Sequence, residues 1–357
     1  MVGGETHSRR HVLRLGVLSV GLVLFAEAKS AFAASASGSF PNGVQVLVAG
    51  TIGRPVDRWA DVFLPILDQS LPRGTRIWKE NAIGDDGVTG ANQFAVRTTP
   101  DGATALLVPG AAVTAWLVGD SRVHFDIASW IPVMDGASPG VVVGRAPLSA
   151  FGSGQTLRVA AASPVGPELP ILLALDLLGI RFSPVFGLDL SDQAERALEA
   201  GSADVILLHG ENVPERMAAL TSAGMRALFS FGAPDATGSW GRDPIVPDVP
   251  TFDEISVTLR GHPPRGPLAE VWRAAATATA LEFALVLPEL TPPALVALWR
   301  QAGAGVVNTA TIRALAAAAG VSVEASPAAN ACVVAVNAPA LLALRSWLDR
   351  RFGWRQS

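Results

Sequence analysis

The chain has 357 residues, half of them hydrophobic and 16% charged, with a formal net charge of −4. That length supports roughly two domains with sizeable cores. The acidic balance excludes the basic footprint of a nucleic-acid binder, and a single cysteine excludes an internal disulfide.

The N-terminus reads as an export signal. "HSRRHVLRLGVLSVGLVLFAEAKSAFAASA" has a basic start, an apolar stretch from Val12 to Ala26, and small residues at Ala31 and Ala33 that mark a cleavage site after Ala33. Arg9-Arg10 before Val12-Leu13 has the form of a twin-arginine signal. The apolar run is short for a membrane span and is broken by Arg14. The expectation is a leader over 1–33 and a mature protein in the periplasm. Four of the chain's cations but only two of its acids lie in that leader, so the mature chain is more acidic than the whole.

Beyond the leader, strand and helix signals alternate. "VQVLVAG" (44–50) is a short apolar strand. A helix over 54–71 follows, with apolar residues at Val56, Trp59, Ala60, Phe63, Ile66 and Leu67 and with Pro55 in its first turn. Pro65 is expected to kink it or end it early. Next come a strand at 75–80, a glycine-rich turn at 84–90, a helix at 89–98, the turn "PDG" and a strand at 103–109. "GVVVGR" (140–145) and "LRVAAAS" (157–163) are further strands, the latter leading through "PVGP" into an apolar helix. A strand at 181–186, a helix over 190–201 capped by Ser191 and ended by Gly201, a strand at 203–209, a helix from Val213 and a strand at 225–232 complete the run. This alternation predicts an α/β protein with mostly parallel sheets.

In such sheets ligands gather at the carboxyl ends of strands, where helix N-termini present free N–H groups. Here those ends carry Gly50-Thr51-Ile52-Gly53, Gly110-Ala111, Ser163-Pro164-Val165-Gly166, Phe186-Gly187 and His209-Gly210. They suit an anion held by backbone amides, although any one of them also serves as plain turn punctuation. Enzyme motifs are missing: there is no nucleophile elbow, no zinc-protease helix, no phosphate loop and no dinucleotide fingerprint. His124, His209 and His262 are isolated, without metal-ligand spacing. "DDGVTG" begins like a calcium loop but lacks the alternating oxygen ligands and the closing Glu. A phosphate cradle lacks the Lys or Arg that would accompany its glycines. Cys332, in the apolar "ANACVVAVN", reads as a buried thiol rather than a nucleophile. No metal, cofactor or covalent chemistry is expected.

"RIWKENAIGDDGVTGANQFAVRTTPDGATALLVPG" resembles the solute receptors of tripartite tricarboxylate transporters, the Bug family of periplasmic binding proteins. The matching features are Glu80-Asn81, the glycine turn, a small-residue helix, and Pro100-Asp101-Gly102 before an apolar strand. "FDIASWIPVM", "ALEAGSADVILLH", "MRALFSFG", "IVPDVPTFDEI" and "LVLPELTPPALVALW" continue the resemblance in order, over about residues 40–350. It implies a two-lobed fold, with lobe one at 40–143 plus 283–357, lobe two at 144–260, and 261–282 as an insertion or linker. It also implies a monomeric, non-enzymatic receptor that closes on a small organic acid and hands it to membrane permease subunits. By position, the ligand loops would be Gly50 to Asp57 (including Thr51, Ile52, Gly53 and Arg54), Gly110-Ala111, Ser163, Val165, Gly166, Phe186, Gly187 and His209. The glycine turn at 84–90 would be mainly architectural. The chain departs from the family in "AGTIGRPVD", in a second-lobe loop "SPVGPELP" poor in side-chain donors, and in His209, where an aspartate is common. Two other readings are a ligand-sensing subunit for a membrane kinase and a periplasmic hydrolase using Ser163 with His209.

Overall fold

The computed structural model describes Met1, Phe40 and residues 43–150, 155–235, 239–325 and 336–355. The expected leader and Cys332 lie outside the described residues. The chain first lays down β1 (Val44–Ala49), α1 (Pro55–Ser70), β2 (Ile77–Ala82), α2 (Val88–Arg97), β3 (Thr104–Val108), α3 (Gly110–Val118) and β4 (Trp130–Ala137). It then builds β5 (Val141–Gly144), β6 (Leu157–Ala160), α4 (Leu169–Leu177), β7 (Phe182–Val185), α5 (Ser191–Glu199), β8 (Val205–Leu208), α6 (Val213–Ser222) and β9 (Arg226–Ser230). A short ribbon, β10 (Ala233–Pro234) with β11 (Trp240–Gly241), leads into α7 (Phe252–Arg260) and α8 (Pro267–Ala280). The chain returns through β12 (Leu281–Pro288), α9 (Pro293–Val307), α10 (Ala310–Ala319), β13 (Ser322–Ala325) and α11 (Ala338–Phe352).

The strands form two sheets, ordered β13-β4-β12-β3-β1-β2 and β7-β6-β8-β5-β9. The fold is thus mixed α/β, two sheets flanked by helices. The sheets are less parallel than the alternation predicts. Pairs β1–β2, β1–β3, β6–β7 and β6–β8 are parallel, as strand–helix–strand crossovers require. β4, β5 and β12 enter antiparallel. These are the strands that carry the chain between the sheets, and a direct crossing reverses their direction relative to the neighbours they join.

The two crossings lie side by side. Ser138 N–H, just after β4, donates to the Ala280 carbonyl at the end of α8 (2.8 Å). Val141 already pairs with Leu208 in the second sheet, so the outward crossing occupies 138–140. The segment read as an insertion at 261–282 contains α8, whose Val271, Trp272, Ala274, Ala275, Ala276 and Ala278 are buried. A helix apolar on so many sides must be packed on several: α8 touches α3, α4 and α11, and Trp272 Nε1 donates to the Pro170 carbonyl (3.0 Å). Its small residues let those helices approach.

Three apolar clusters follow. One lies between the first sheet and α1, α9 and α10, around Phe63, Phe283 and Trp299. Another covers the outer face of the second sheet with α5 and α6. The largest runs from the first sheet (Leu106, Val108) through α3, α8, α4 and α11 to the second sheet (Val159, Val205, Phe229), so the two halves share one core. Burying each Leu, Val or Phe fully contributes about 1.5–3 kcal/mol. α1 runs unbroken past Pro65, which lies on its exposed face. There the carbonyl left without a donor is open to water, so the helix tolerates the loss.

Candidate ligand site

A cleft of about 620 Å³ opens where the carboxyl ends of β1, β2 and β3 face the turns of the second sheet. It is lined by the β1–α1 turn, the β3–α3 turn, Asp85 and Asp86 of the glycine turn, Asp120 and Arg122 beyond α3, the second-sheet loops at 165–167 and 209–211, and the α8–β12 junction at 278–282.

The β1–α1 turn spends most of its polar groups on itself. Gly53 takes φ +85°, a conformation costly for any residue with a Cβ, and its N–H donates to Asp57 Oδ2 (2.8 Å). Asp57 is 1% exposed and also accepts from Lys79 Nζ (2.7 Å) and Asn81 Nδ2 (2.8 Å). Burial works against its charge, but the Gly53 amide, Lys79 and Asn81 together hold its pKa below the usual carboxylate range. Thr51 is clamped to the glycine turn: its N–H donates to the Gly84 carbonyl (3.2 Å) and its Oγ1 accepts from Gly84 N–H (3.3 Å). Gly50 packs against Val56, and Ile52 points out, 76% exposed. Of this predicted loop, Arg54, Pro55 and Val56 line the cleft; Gly50, Thr51, Gly53 and Asp57 form its support, and Ile52 does neither. Arg54 pairs with Asp85 of the glycine turn (3.3 Å). That turn is packed as architecture: a Cβ on Gly87 would sit 2.6 Å from Pro109, and one on Gly90 2.6 Å from Ala49.

The β3–α3 turn is different. Gly110 and Ala111 line the cleft at the first turn of α3, where N–H groups have no acceptor within the helix. Among the described residues, neither N–H has a backbone acceptor outside it. The positive end of the helix dipole therefore faces the cavity. Gly110 is fixed by contact: a Cβ there would lie 1.9 Å from the Ala278 carbonyl oxygen and 2.8 Å from that of Leu281.

Across the cleft, Val165, Gly166 and His209 line it. Ser163 does not; its Oγ accepts from Val165 N–H (3.3 Å), and no hydrogen bond joins it to His209 among the described residues. Glu168 braces the same loop by accepting from Ala162 N–H (3.0 Å), and its burial pushes its pKa up to about 7. Phe186 instead meets Phe352 edge-on, 6.0 Å between centroids, and does not line the cavity; nor does Gly187, whose N–H donates to the Ala162 carbonyl (3.1 Å). Burial, with Arg216 nearby, lowers the His209 pKa to about 4, so its ring is neutral at ordinary pH.

Several lining groups escape the sequence reading: Arg58, Asp85, Asp86, Asp120, Arg122, Glu211, Arg216 and Glu282. Arg58 has a signal in hindsight, one helical turn beyond Arg54. Glu282 also has one, as the lone charge in the apolar strand "LEFALVLP". Each cleft arginine already has a carboxylate: Arg54 with Asp85, Arg58 with Glu211 (3.2 Å, across the cleft), Arg122 with Asp86 (2.8 Å) and Asp120 (2.6 Å), and Arg216 with Glu195 (2.7 Å).

No family model and no curated protein matches the sequence. Solved structures do match. A TctC solute binding protein from Polaromonas, without ligand, aligns at TM-score 0.65 and 17% identity, over 87% of this chain and 100% of its own. The periplasmic binding protein BugD gives 0.53 and 18%, over 87% and 98%. MatC from Rhodopseudomonas palustris, solved with bound malate, gives 0.50 and 21%, over 87% and 99%. The chain has the fold of these two-lobed periplasmic solute receptors. The receptors named by the sequence resemblance are thus the ones that share its architecture. The cleft lies between the two sheets, with Ala278, Thr279, Leu281 and Glu282 of the return crossing in its wall and Ser138 of the outward crossing bonded to Glu282. Among the described residues, no helix is long and apolar enough to cross a membrane.

Proposed function

We propose that the protein is an extracytoplasmic receptor that captures a small organic acid and delivers it to the permease subunits of a tripartite tricarboxylate-type transporter. The observation that carries this is the N-terminus of α3, with Gly110 and Ala111 bare of side-chain bulk at the wall of a cleft between two lobes. An oriented helix end in a confined space suits a carboxylate. The malate held by MatC supports the same ligand class. On this reading the lobes are those expected from the sequence resemblance, 40–143 plus 283–357 and 144–260, and no catalysis or cofactor is needed for capture.

The test is thermal denaturation of the mature protein against a panel of small carboxylates, followed by calorimetry of any hit. A ligand at a hundred times its dissociation constant stabilises by about 2.7 kcal/mol. A flat response across the panel would end the reading. Export through the twin-arginine route is proposed from Arg9-Arg10. Replacing both by Lys is expected to keep the protein out of the periplasm, and unchanged export would assign it to the general secretory route.

A further inference from the structure

Among the described residues, Glu282 is the cleft carboxyl without an ion pair. Every arginine at the cavity is paired with another acid, and Glu282 has no ion-pair partner among the described residues. It is held in place nonetheless. Ser138 Oγ donates to Glu282 Oε1 (2.6 Å), and Gly210 N–H donates to Ser138 Oγ (3.0 Å). One crossing segment, the other crossing segment and a second-lobe loop thus converge to fix one carboxyl group in the cleft wall. Its other oxygen has no hydrogen-bond partner among the described residues, although the residue lines the cavity. Such an arrangement leaves one acceptor for something that enters.

The position of that acceptor matters. Gly110, at the start of α3, lies so close to the Leu281 carbonyl that a Cβ would come within 2.8 Å of it, and Leu281 is the neighbour of Glu282. The start of α3 and the backbone of Glu282 therefore lie side by side, and Gly110, Ala111 and Glu282 line the same cavity. A ligand carrying both signs of charge on adjacent atoms matches that pair. A second carboxylate does not, because it would be driven onto Glu282 and Glu211.

We propose that Glu282 makes this receptor selective for a compact zwitterion, a carboxylic acid bearing a protonated amine such as an α-amino acid, over dicarboxylates. This rests on the receptor reading above and narrows it. The carboxylate lies at the first turn of α3, and the ammonium donates to Glu282. Burial and Glu211 raise the Glu282 pKa to about 7, while Ser138 and Arg58 oppose the rise. His209, which lines the same cavity, is already neutral above pH 5. Amine binding needs the ionised carboxylate, so affinity rises between pH 5.5 and pH 8.

The experiment is a thermal-shift screen of the mature protein with the proteinogenic amino acids, malate, adipate and simple amines, then calorimetry of hits on wild type and Glu282→Gln at both pH values. The expected result is stabilisation by at least one amino acid and by neither dicarboxylate. Glu282→Gln then binds that amino acid at least tenfold more weakly and without the pH dependence, at an unchanged or higher melting temperature. Binding of dicarboxylates without amino acids overturns the selectivity and leaves the receptor reading standing. Simple amines binding as well as amino acids remove the role given to α3. Full affinity in Glu282→Gln removes the role given to Glu282. A response to nothing in the panel overturns the receptor reading and this inference with it.

Discussion

The β1–α1 and β3–α3 turns look alike in sequence: each follows an apolar strand, contains glycine and opens a helix. The structure uses them in opposite ways. In the first, Gly53 N–H, Thr51 and Asp57 are bonded to one another or to the neighbouring glycine turn, and the result is a stiff wall. In the second, Gly110 and Ala111 line the cavity, and among the described residues their N–H groups have no backbone acceptor. The glycine in the first is demanded by its φ; the glycine in the second is demanded by what lies behind it. A binding loop is therefore identified by which of its donors remain unspent, and glycine content alone does not report that.

The sharpest way to break the comparison is at Gly110. Gly110→Ala places a methyl group 1.9 Å from the Ala278 carbonyl, in backbone that is itself the α8–β12 junction. Neither side can move without parting the two crossings. We expect a loss of about 3 kcal/mol in urea denaturation. Wild-type stability would show that the helix start is not seated on the junction.

Asp57→Ala comes next. It leaves Lys79, Asn81 and the Gly53 N–H facing a cavity where a buried carboxylate stood. Losing one member of a largely buried pair costs about 3 kcal/mol, and Lys79, part exposed, recovers some of this through water, so we expect about 2 kcal/mol. The pH dependence follows from the lowered folded pKa. Asp57 contributes stability above the ordinary Asp pKa near 3.9, and this is lost as pH falls through the lower, folded value. The difference in stability between wild type and Asp57→Ala should therefore shrink on acidification. A constant difference would mean that Asp57 acts through packing alone.

Gly53→Ala tests the same turn from its backbone. No atom lies within 4 Å of the added methyl group, so the penalty is conformational, about 1 kcal/mol. Because Gly53 N–H is committed to Asp57, ligand affinity should change little. Loss of binding in a folded Gly53→Ala would move the site toward the first turn and away from α3.

Much of the frame was legible in the sequence. Strands β1, β3, β8 and β9 are apolar runs bounded by turn residues, and such runs do not depend on distant partners. Gly201 ends its helix at φ +74°, as a residue without Cβ should. α3 leaves no signal of its own in the sequence, because it is apolar on all sides and shows no helical period. The segment holding α8 stands in the resemblance as an insertion or linker; its packing on three helices becomes visible only once they are assembled. Phe186 and Gly187 were placed in the site by position, yet α11 draws Phe186 to Phe352. Glu282 was missed for a related reason. What singles it out is the absence of a cation among residues from distant parts of the chain, and sequence spacing carries no trace of that.

The smallest expected effect concerns how the halves are held together. Arg58 Nη2 reaches Glu211 Oε2 (3.2 Å) from α1 to the opposite loop, the ion pair one would expect to latch a closing cleft. The side chains are 52% and 29% exposed, so water and salt screen them, and such pairs contribute about 0–1 kcal/mol. Against this stands the shared core through α3, α8, α4 and α11, and the Asn212 N–H bond to the Ala319 carbonyl (2.8 Å). Rotating one sheet away from the other would expose apolar surface worth several kcal/mol at about 25 cal/mol per Å². The core therefore sets the spacing of the halves, and the ion pair only trims it. A double-mutant cycle of Arg58→Ala and Glu211→Ala should give a coupling below about 1 kcal/mol that vanishes in high salt. The radius of gyration from small-angle scattering should be the same for Arg58→Ala and wild type. An expanded Arg58→Ala would make the ion pair the latch, and the core would then have to part at α8.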